Sequence, residues 1–194
     1  MRTVITGGHG FVGRHLGAAL GAKGHDVVNL DRQDVDVSDA PAVRVALERA
    51  RPDVIFHLAA ISHVGESWSD PGAVERINVG GTVAVLEGSE AVGASVVVVV
   101  GSAEEYGRVT PDDIPLREDR SAAPESPYGR SKAEATRLAV KFAATSSTRV
   151  VIARPFNHTG PGQAPKFLIP ALAARIRAAV AAGEGAIAVG NLDP

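Results

Sequence analysis

The chain has 194 residues, enough for one domain with a substantial core, and its formal net charge of −2 gives no bulk attraction toward nucleic acid or anionic lipid. It has no cysteine, which excludes a disulfide framework and a thiolate metal site and suits a cytoplasmic protein. The most apolar run, "VVVVV" (96–100), is too short to span a bilayer, and the apolar stretch near the N-terminus is too short for a signal peptide.

In chain order, short β-branched runs alternate with longer Ala/Leu-rich stretches. "TVIT" (3–6) reads as a strand, followed by a helix from about Gly10 to Lys23. "DVVNL" (26–30) reads as a second strand. Residues 40–50 read as a helix: Val43, Leu47 and Ala50 recur at helical spacing, with Pro41 in the first turn. "DVIFHLA" (53–59) is a third strand, a helix follows near 72–92, and "SVVVVVGS" (95–102) is a fourth strand. Residues 107–125, rich in Pro, Asp, Glu and Arg, read as an exposed loop in which "REDR" (117–120) is a solvated charge run. Ser126 is placed to cap a helix that has Pro127 at its first position and runs to about Ala144. "RVVIAR" (149–154) is a further strand, and "GAIAVGNLDP" at the end begins a strand-like segment. This alternation predicts parallel βαβ units. The valine run predicts a strand buried on both faces, as in a doubly wound α/β sheet of the Rossmann type with helices on both sides.

"ITGGHGFVG" sets Gly7, Gly10 and Gly13 between a strand and a helix. The first glycine permits a tight turn, the second lets backbone approach a pyrophosphate, and the third lets helix pack on strand. The helix N-terminus then offers N–H groups to phosphates. Asp31 ends the second strand 18 residues after Gly13, where a carboxylate accepts hydrogen bonds from an adenosine ribose; this favours NAD. Arg32 beside it is suited to a 2′-phosphate, so NADP stays open. Asp36, in "DVDVSD", is within range of the adenine amino group in this reading.

"YGRSK" puts Tyr128 and Lys132 on one helix face. A lysine ammonium beside a phenol is expected to lower its pKa from about 10, so that it exchanges a proton with a carbinol or ketone while hydride moves. Ser102, at the C-terminal end of the valine strand, lies on the edge where such sheets bind ligands, and its hydroxyl is placed to hold the same substrate oxygen.

The motifs "TGGHGFVG", "DVDVSD", "FHLAA", "NVGGT", "GSAEEYG", "YGRSK" and "RPFNHTGPGQ" occur in this order. In this set the chain resembles the extended short-chain dehydrogenase/reductases of the NAD-dependent nucleotide-sugar epimerase/dehydratase family. Within it, "GSAEEYG", "FNHTGPGQ" and "VGNLDP" are similar to the group that reduces GDP-4-keto-6-deoxy-mannose or dehydrates GDP-mannose. The resemblance implies that Ser102, Tyr128 and Lys132 are catalytic and that Gly7, Gly10, Phe11, Val12 and Gly13 form the cofactor loop. It further implies that Leu58, Ala59 and Ala60 line the cofactor crevice and that Asn78 is a structural asparagine beside the active site. Pro155 and Phe156 would approach the nicotinamide, Asn157 would contact the sugar nucleotide, and His158 would sit near the substrate. The implied partner is a nucleotide-diphosphate sugar, with a homodimer formed through the helices near 72–92 and 127–144.

Family dehydratases use a carboxylate at the position of Glu104 to take the C5 proton, and glucose-type dehydratases precede it with an aspartate. Here that residue is Ala103, which donates no proton. Reduction of a 4-keto-6-deoxy sugar nucleotide is therefore the favoured reaction, with dehydration or 4-epimerisation as alternatives. Glu104 is either the base or a polar contact, and Glu105 is read as a plain surface charge. His57, His63 and His158 do not form a metal spacing, and no metal site is expected. Family members continue past "VGNLDP", so residues 1–160 are expected to form the NAD(P)-binding domain and 161–194 the start of a truncated substrate region. A non-catalytic dinucleotide-binding module is the rival class.

Overall fold

A computed structural model describes residues 1–190. Five strands, β1 (Arg2–Thr6), β2 (Asp26–Leu30), β3 (Val54–His57), β4 (Val96–Val100) and β5 (Arg149–Ala153), form one parallel sheet in the order β2-β1-β3-β4-β5. The helices are α1 (Phe11–Ala22), α2 (Ala40–Ala50), α3 (Val64–Ser69), α4 (Pro71–Val74), α5 (Gly81–Ala91), α6 (Pro127–Ala143) and α7 (Leu168–Ala182). The chain divides into two compact units, Met1–Phe156 and a second that begins at Asn157. Among the described residues, no helix is long and apolar enough to cross a membrane.

The caps explain where the helices start. Asp39 accepts a hydrogen bond from Ala42 N–H at the head of α2, and Ser126 accepts one from Gly129 N–H at the head of α6, with Pro127 in its first turn. Right-handed crossovers put α2, α5 and α6 on one face of the sheet and α1 on the other, because the chain reverses direction across the sheet after β2. Leu47, Val85, Leu86, Val97, Val99 and Ala139 join the three helices to the sheet in one core. The valine run is not equally buried on its two faces: Val97 and Val99 are closed off under these helices, while Val96, Val98 and Val100 are half-buried.

The helix expected near 72–92 is three pieces. Between α4 and α5 the backbone widens into a π-helical turn, Glu75–Gly80, which holds Asn78. The six-residue α3 is too short to show a period, and α7 was not anticipated. β3 ends at His57 rather than Ala59, because Leu58 and Ala59 turn their N–H groups to Thr6 O and Thr6 Oγ1. Residues 185–190 form no strand; the rest of "GAIAVGNLDP", 191–194, lies outside the described residues. In the second unit α7 buries only Ala179, and its Leu168, Ile169, Ile176 and Val180 are exposed.

Candidate active site

The switch in strand order falls between β1 and β3, so the loops that follow them flank a crevice at the carboxyl edge of the sheet. The glycine loop is one wall. Gly7 has φ 71° and donates to Leu30 O at 2.7 Å. A Cβ at Gly13 would run into Gly7 O and Gly8, so α1 packs against the loop only because residue 13 has no side chain. Gly10 begins α1 with no side-chain cap, as suits a helix start that receives a phosphate. Phe11 is half-buried, edge-on to His15 with ring centroids 5.3 Å apart, and Val12 is exposed. Leu58, Ala59 and Ala60, half-buried, form the opposite wall; a Cβ at Gly7 would lie 2.9 Å from Ala59 N. A bare helix start facing a tight glycine turn fits a diphosphate.

Asp31 follows β2, half-buried, and is already engaged. Its Oδ2 accepts from His9 N–H at 2.8 Å and pairs with His9 Nδ1 at 2.8 Å. His9 is a partner that sequence reading missed, although it stands inside the glycine motif. Arg32 is exposed. Asp36 Oδ1 accepts from both Ser38 N–H and Ser38 Oγ; the backbone bond is the larger cause that holds its carboxyl below the usual range. His9, Asp31 and Asp34 bring their potential ligand atoms within 4.8 Å of one another, bound to each other by hydrogen bonds.

Ser102, Tyr128 and Lys132 converge at the end of β4, each less than a tenth exposed. Ser102 sits in the turn after the strand, Tyr128 in the first turn of α6, and Lys132 one turn further on. The Ser102 side chain lies close enough to the Tyr128 phenol to favour its ionised form. Lys132 Nζ donates to Val100 O at 2.7 Å. Burial pushes the Tyr128 phenol above its ordinary pKa against the lowering effect of Ser102, and the negative charges of Glu104 and Glu105 push the same way as burial. The expected depression by Lys132 is therefore not the outcome here. The ammonium is turned to a backbone carbonyl, and Tyr128 is a neutral phenol, loaded with its proton, at pH 7. Burial brings Lys132 down to about 8, with Glu105 opposing, so the ammonium still dominates at neutral pH.

The two glutamates differ sharply in exposure. Glu105, read as a surface charge, is 1% exposed. Its Oε1 accepts from Ser102 N–H at 2.9 Å and Thr136 Oγ1 at 3.1 Å, and its Oε2 accepts from Arg154 Nε–H at 2.9 Å. The physical reason is the short 3-10 turn Ala103–Tyr106: Ser102 and Glu105 cap it reciprocally, which turns residue 105 inward. Glu104, the candidate base, is exposed, with Oε2 at 3.4 Å from Ser126 Oγ.

Polar groups behind the trio hold it in place. Asn78 donates to Ser131 Oγ at 2.9 Å and brackets the Ile61 backbone, accepting its N–H at 2.8 Å and donating to its O at 3.1 Å. It thereby ties the crevice wall to α6. Ser67 Oγ accepts from Tyr128 N–H at 3.2 Å. His57, at the end of β3, lies between Thr6 Oγ1 (2.8 Å) and Thr82 Oγ1 (3.1 Å). Thr82 donates to Asn78 O, so it accepts from His57 Nε2–H, and Nδ1 accepts from Thr6. Burial, with Lys132 adding, lowers His57 to about 3, so it is neutral and structural. Pro155 O accepts from Ala103 N–H at 3.1 Å, and Phe156 stacks on Tyr106 at 6.3 Å. Asn157 and His158 are exposed and belong to the second unit, where His158 O accepts from Gln163 Nε2.

A GDP-6-deoxy-D-mannose reductase from Pseudomonas aeruginosa is 36% identical over 179 residues, which cover 90% of this chain and 58% of the relative. A UDP-glucose 4-epimerase from Rhizobium meliloti is 32% identical over 81% of the chain and 52% of the relative. The chain thus spans little more than half the length of these relatives. Among solved structures, RMD from Pseudomonas aeruginosa complexed with NADPH matches at TM-score 0.86 and 36% identity, covering all of this chain and 68% of that one. DesIV, a dTDP-glucose 4,6-dehydratase from Streptomyces venezuelae with NAD bound, matches at TM-score 0.84 and 30% identity over 92% and 62%. The glycine crevice, the Ser–Tyr–Lys trio and these likenesses agree with the profile described as "NAD dependent epimerase/dehydratase family", which matches residues 3–194; the chain belongs to that family.

Proposed function

We propose that this chain carries the cofactor crevice and the catalytic groups of an NAD(P)-dependent nucleotide-sugar enzyme, and that its reaction is the reduction of a 4-keto-6-deoxy sugar nucleotide of the GDP-4-keto-6-deoxy-mannose type. The observation that carries this reading is the buried Tyr128 phenol, held protonated beside Ser102. A reductase needs a proton donor at the carbonyl oxygen, and a dehydratase needs a poised carboxylate base, for which exposed Glu104 is poorly placed. The reductase likeness points the same way.

Bound NAD(P)H supplies the hydride. Ser102 Oγ and Tyr128 Oη hold the ketone oxygen between them, and Tyr128 delivers its proton as negative charge develops there. Lys132, still an ammonium at neutral pH, stabilises the phenolate that is left once its Nζ turns from Val100 O toward it. The glycine loop and the start of α1 take the diphosphate, and Pro155 and Phe156 border the nicotinamide. Arg32, with His9 covering Asp31, leaves NADPH as acceptable as NADH. Asn157 and His158 contact the sugar nucleotide. The protein acts in the cytoplasm as a homodimer through α5 and α6.

The test is oxidation of NADPH, followed by nicotinamide absorbance, with GDP-4-keto-6-deoxy-mannose as acceptor. Turnover that disappears in Tyr128→Phe supports the reading. Dinucleotide binding by calorimetry without turnover of this or any sugar nucleotide would assign the chain to the rival class of non-catalytic binding modules.

A further inference from the structure

We propose that Glu105 is a positioning residue: its buried carboxylate locks the Ser102 turn to α6 and to the end of β5, and so fixes the Ser102–Tyr128 pair. The inference rests on the functional reading above and adds a residue to it.

Three elements meet at one carboxylate. The turn after β4 reaches it through Ser102 N–H, α6 through Thr136 Oγ1, and the segment after β5 through Arg154 Nε. Thr136 stands one turn beyond Lys132 and two beyond Tyr128 on the same helix. Arg154 carries the connection outward, donating to Glu118 O at 3.1 Å in the 107–125 loop and to Tyr106 Oη at 3.3 Å, with its guanidinium 5.2 Å from the Tyr106 ring centre. Room is reserved for the carboxylate: a Cβ on Gly101 would collide with Glu105 Oε1.

Stability alone does not call for such a hub. Apolar side chains of the same volume hold three elements together at least as well as a buried ion pair does. What they lack is direction. A carboxylate that accepts Ser102 N–H sets the orientation of the residue whose hydroxyl meets Tyr128, and a small displacement of a reacting group has a large effect on rate.

The same charge reaches the chemistry. Facing Glu105 are Arg154 from the end of β5, Tyr128 and Lys132 from α6, and Glu104 and Tyr106 from its own turn. Its negative charge favours the protonated forms of both Tyr128 and Lys132, supporting the loaded state of the proton donor.

The experiment compares wild type, Glu105→Gln and Glu105→Asp by NMR and by turnover. The chain has four lysines, so ¹³Cε labelling isolates the one that titrates near 8. In Glu105→Gln that titration moves down by roughly half a unit or more. In Glu105→Asp it stays, because the charge is kept, while the Ser102 amide proton loses the downfield shift of a carboxylate-bound N–H, because the shorter side chain does not reach it. With NADPH and the 4-keto sugar nucleotide, kcat falls roughly 10- to 100-fold in both variants with the KM for NADPH unchanged. Folded variants with wild-type Lys132 titration and Ser102 amide shift overturn the proposal. If Glu105→Gln does not fold, the Ser102 amide shift in Glu105→Asp decides alone. Absence of turnover by the wild type sinks the functional reading, and the two NMR measurements still decide the role of Glu105.

Discussion

The carboxyl edge of the sheet is built in two ways. On the β1–β2 side the crevice is made of backbone: a glycine turn, a helix start without a side-chain cap, and a partly exposed His9–Asp31 pair. On the β4–α6 side it is made of polar side chains whose hydrogen bonds reach backbone or other side chains across 17 to 61 residues of sequence: Asn78 to Ile61, Ser67 to Tyr128, Glu105 to Arg154, Lys132 to Val100. A backbone cradle binds a ligand common to a whole family. A side-chain network sets what is done to it. If this division is real, substitutions on the two sides should fail in different ways.

The largest effect is expected from Tyr128→Phe. It removes the donor proton without changing the ring's packing, so turnover should fall roughly 10²–10⁴-fold. Dinucleotide affinity by calorimetry and the melting temperature should stay near wild type. Loss of binding along with turnover would erase the distinction between the two sides.

Gly13→Ala attacks the other side. Its methyl group would meet Gly7 O and Gly8 backbone, which have little freedom to move. Overpacking of this kind costs about 1–3 kcal/mol, visible in denaturant unfolding. Dinucleotide affinity should collapse with it, because the loop must open to admit the methyl. A variant that binds normally would show that the cradle is not built from this close approach.

His57 lies on the seam, between Thr6 on β1 and Thr82 on α5. Its folded pKa, about 3, is below the ordinary 6.5 because burial disfavours the imidazolium. The unfolded chain therefore takes up this proton first as pH falls. The contribution of His57 to stability is complete above pH 6.5 and is lost progressively toward pH 3. Between pH 7 and pH 5 the loss is about 2 kcal/mol, measurable by urea unfolding at these two pH values. His57→Asn should remove that part of the pH dependence, and an unchanged slope would exclude His57 as its source.

The asymmetry also explains what could be read in advance. Gly7, Gly10 and Gly13 are legible because a backbone cradle imposes its spacing on adjacent residues, and the helix starts marked by Pro41 in the first turn of α2 and by the Ser126 cap of α6 are legible for the same local reason. Tyr128 and Lys132 are legible as one helix face. Glu105 was not: nothing adjacent in sequence says that residue 105 turns inward to an arginine 49 positions away. Its neighbour Glu104 has the same chemistry and the opposite exposure. The half-open face of β4 was missed for a similar reason. A run of valines does not report which face the helices cover, and that is decided by the handedness of connections between distant strands.

The smallest predicted effect tests whether the line between local and long-range construction is sharp. Ser126 is a local feature, the N-cap of α6, yet it belongs to the side-chain-built half: Tyr128 is in the turn it caps, and its Oγ also lies 3.4 Å from Glu104 Oε2. Ser126→Ala should cost about 1 kcal/mol through the lost bond from Gly129 N–H. If capping is its whole role, Ser126→Asp, which caps equally well, should restore the stability. Turnover separates the two kinds of construction. Aspartate places a second negative charge beside Glu104, whose charge already favours the protonated phenol. The Asp variant should therefore recover its melting temperature while its pH–rate profile shifts to higher pH on the alkaline side. Recovery of both stability and the wild-type profile would mean that Ser126 acts only on the helix and that Tyr128 does not sense its cap.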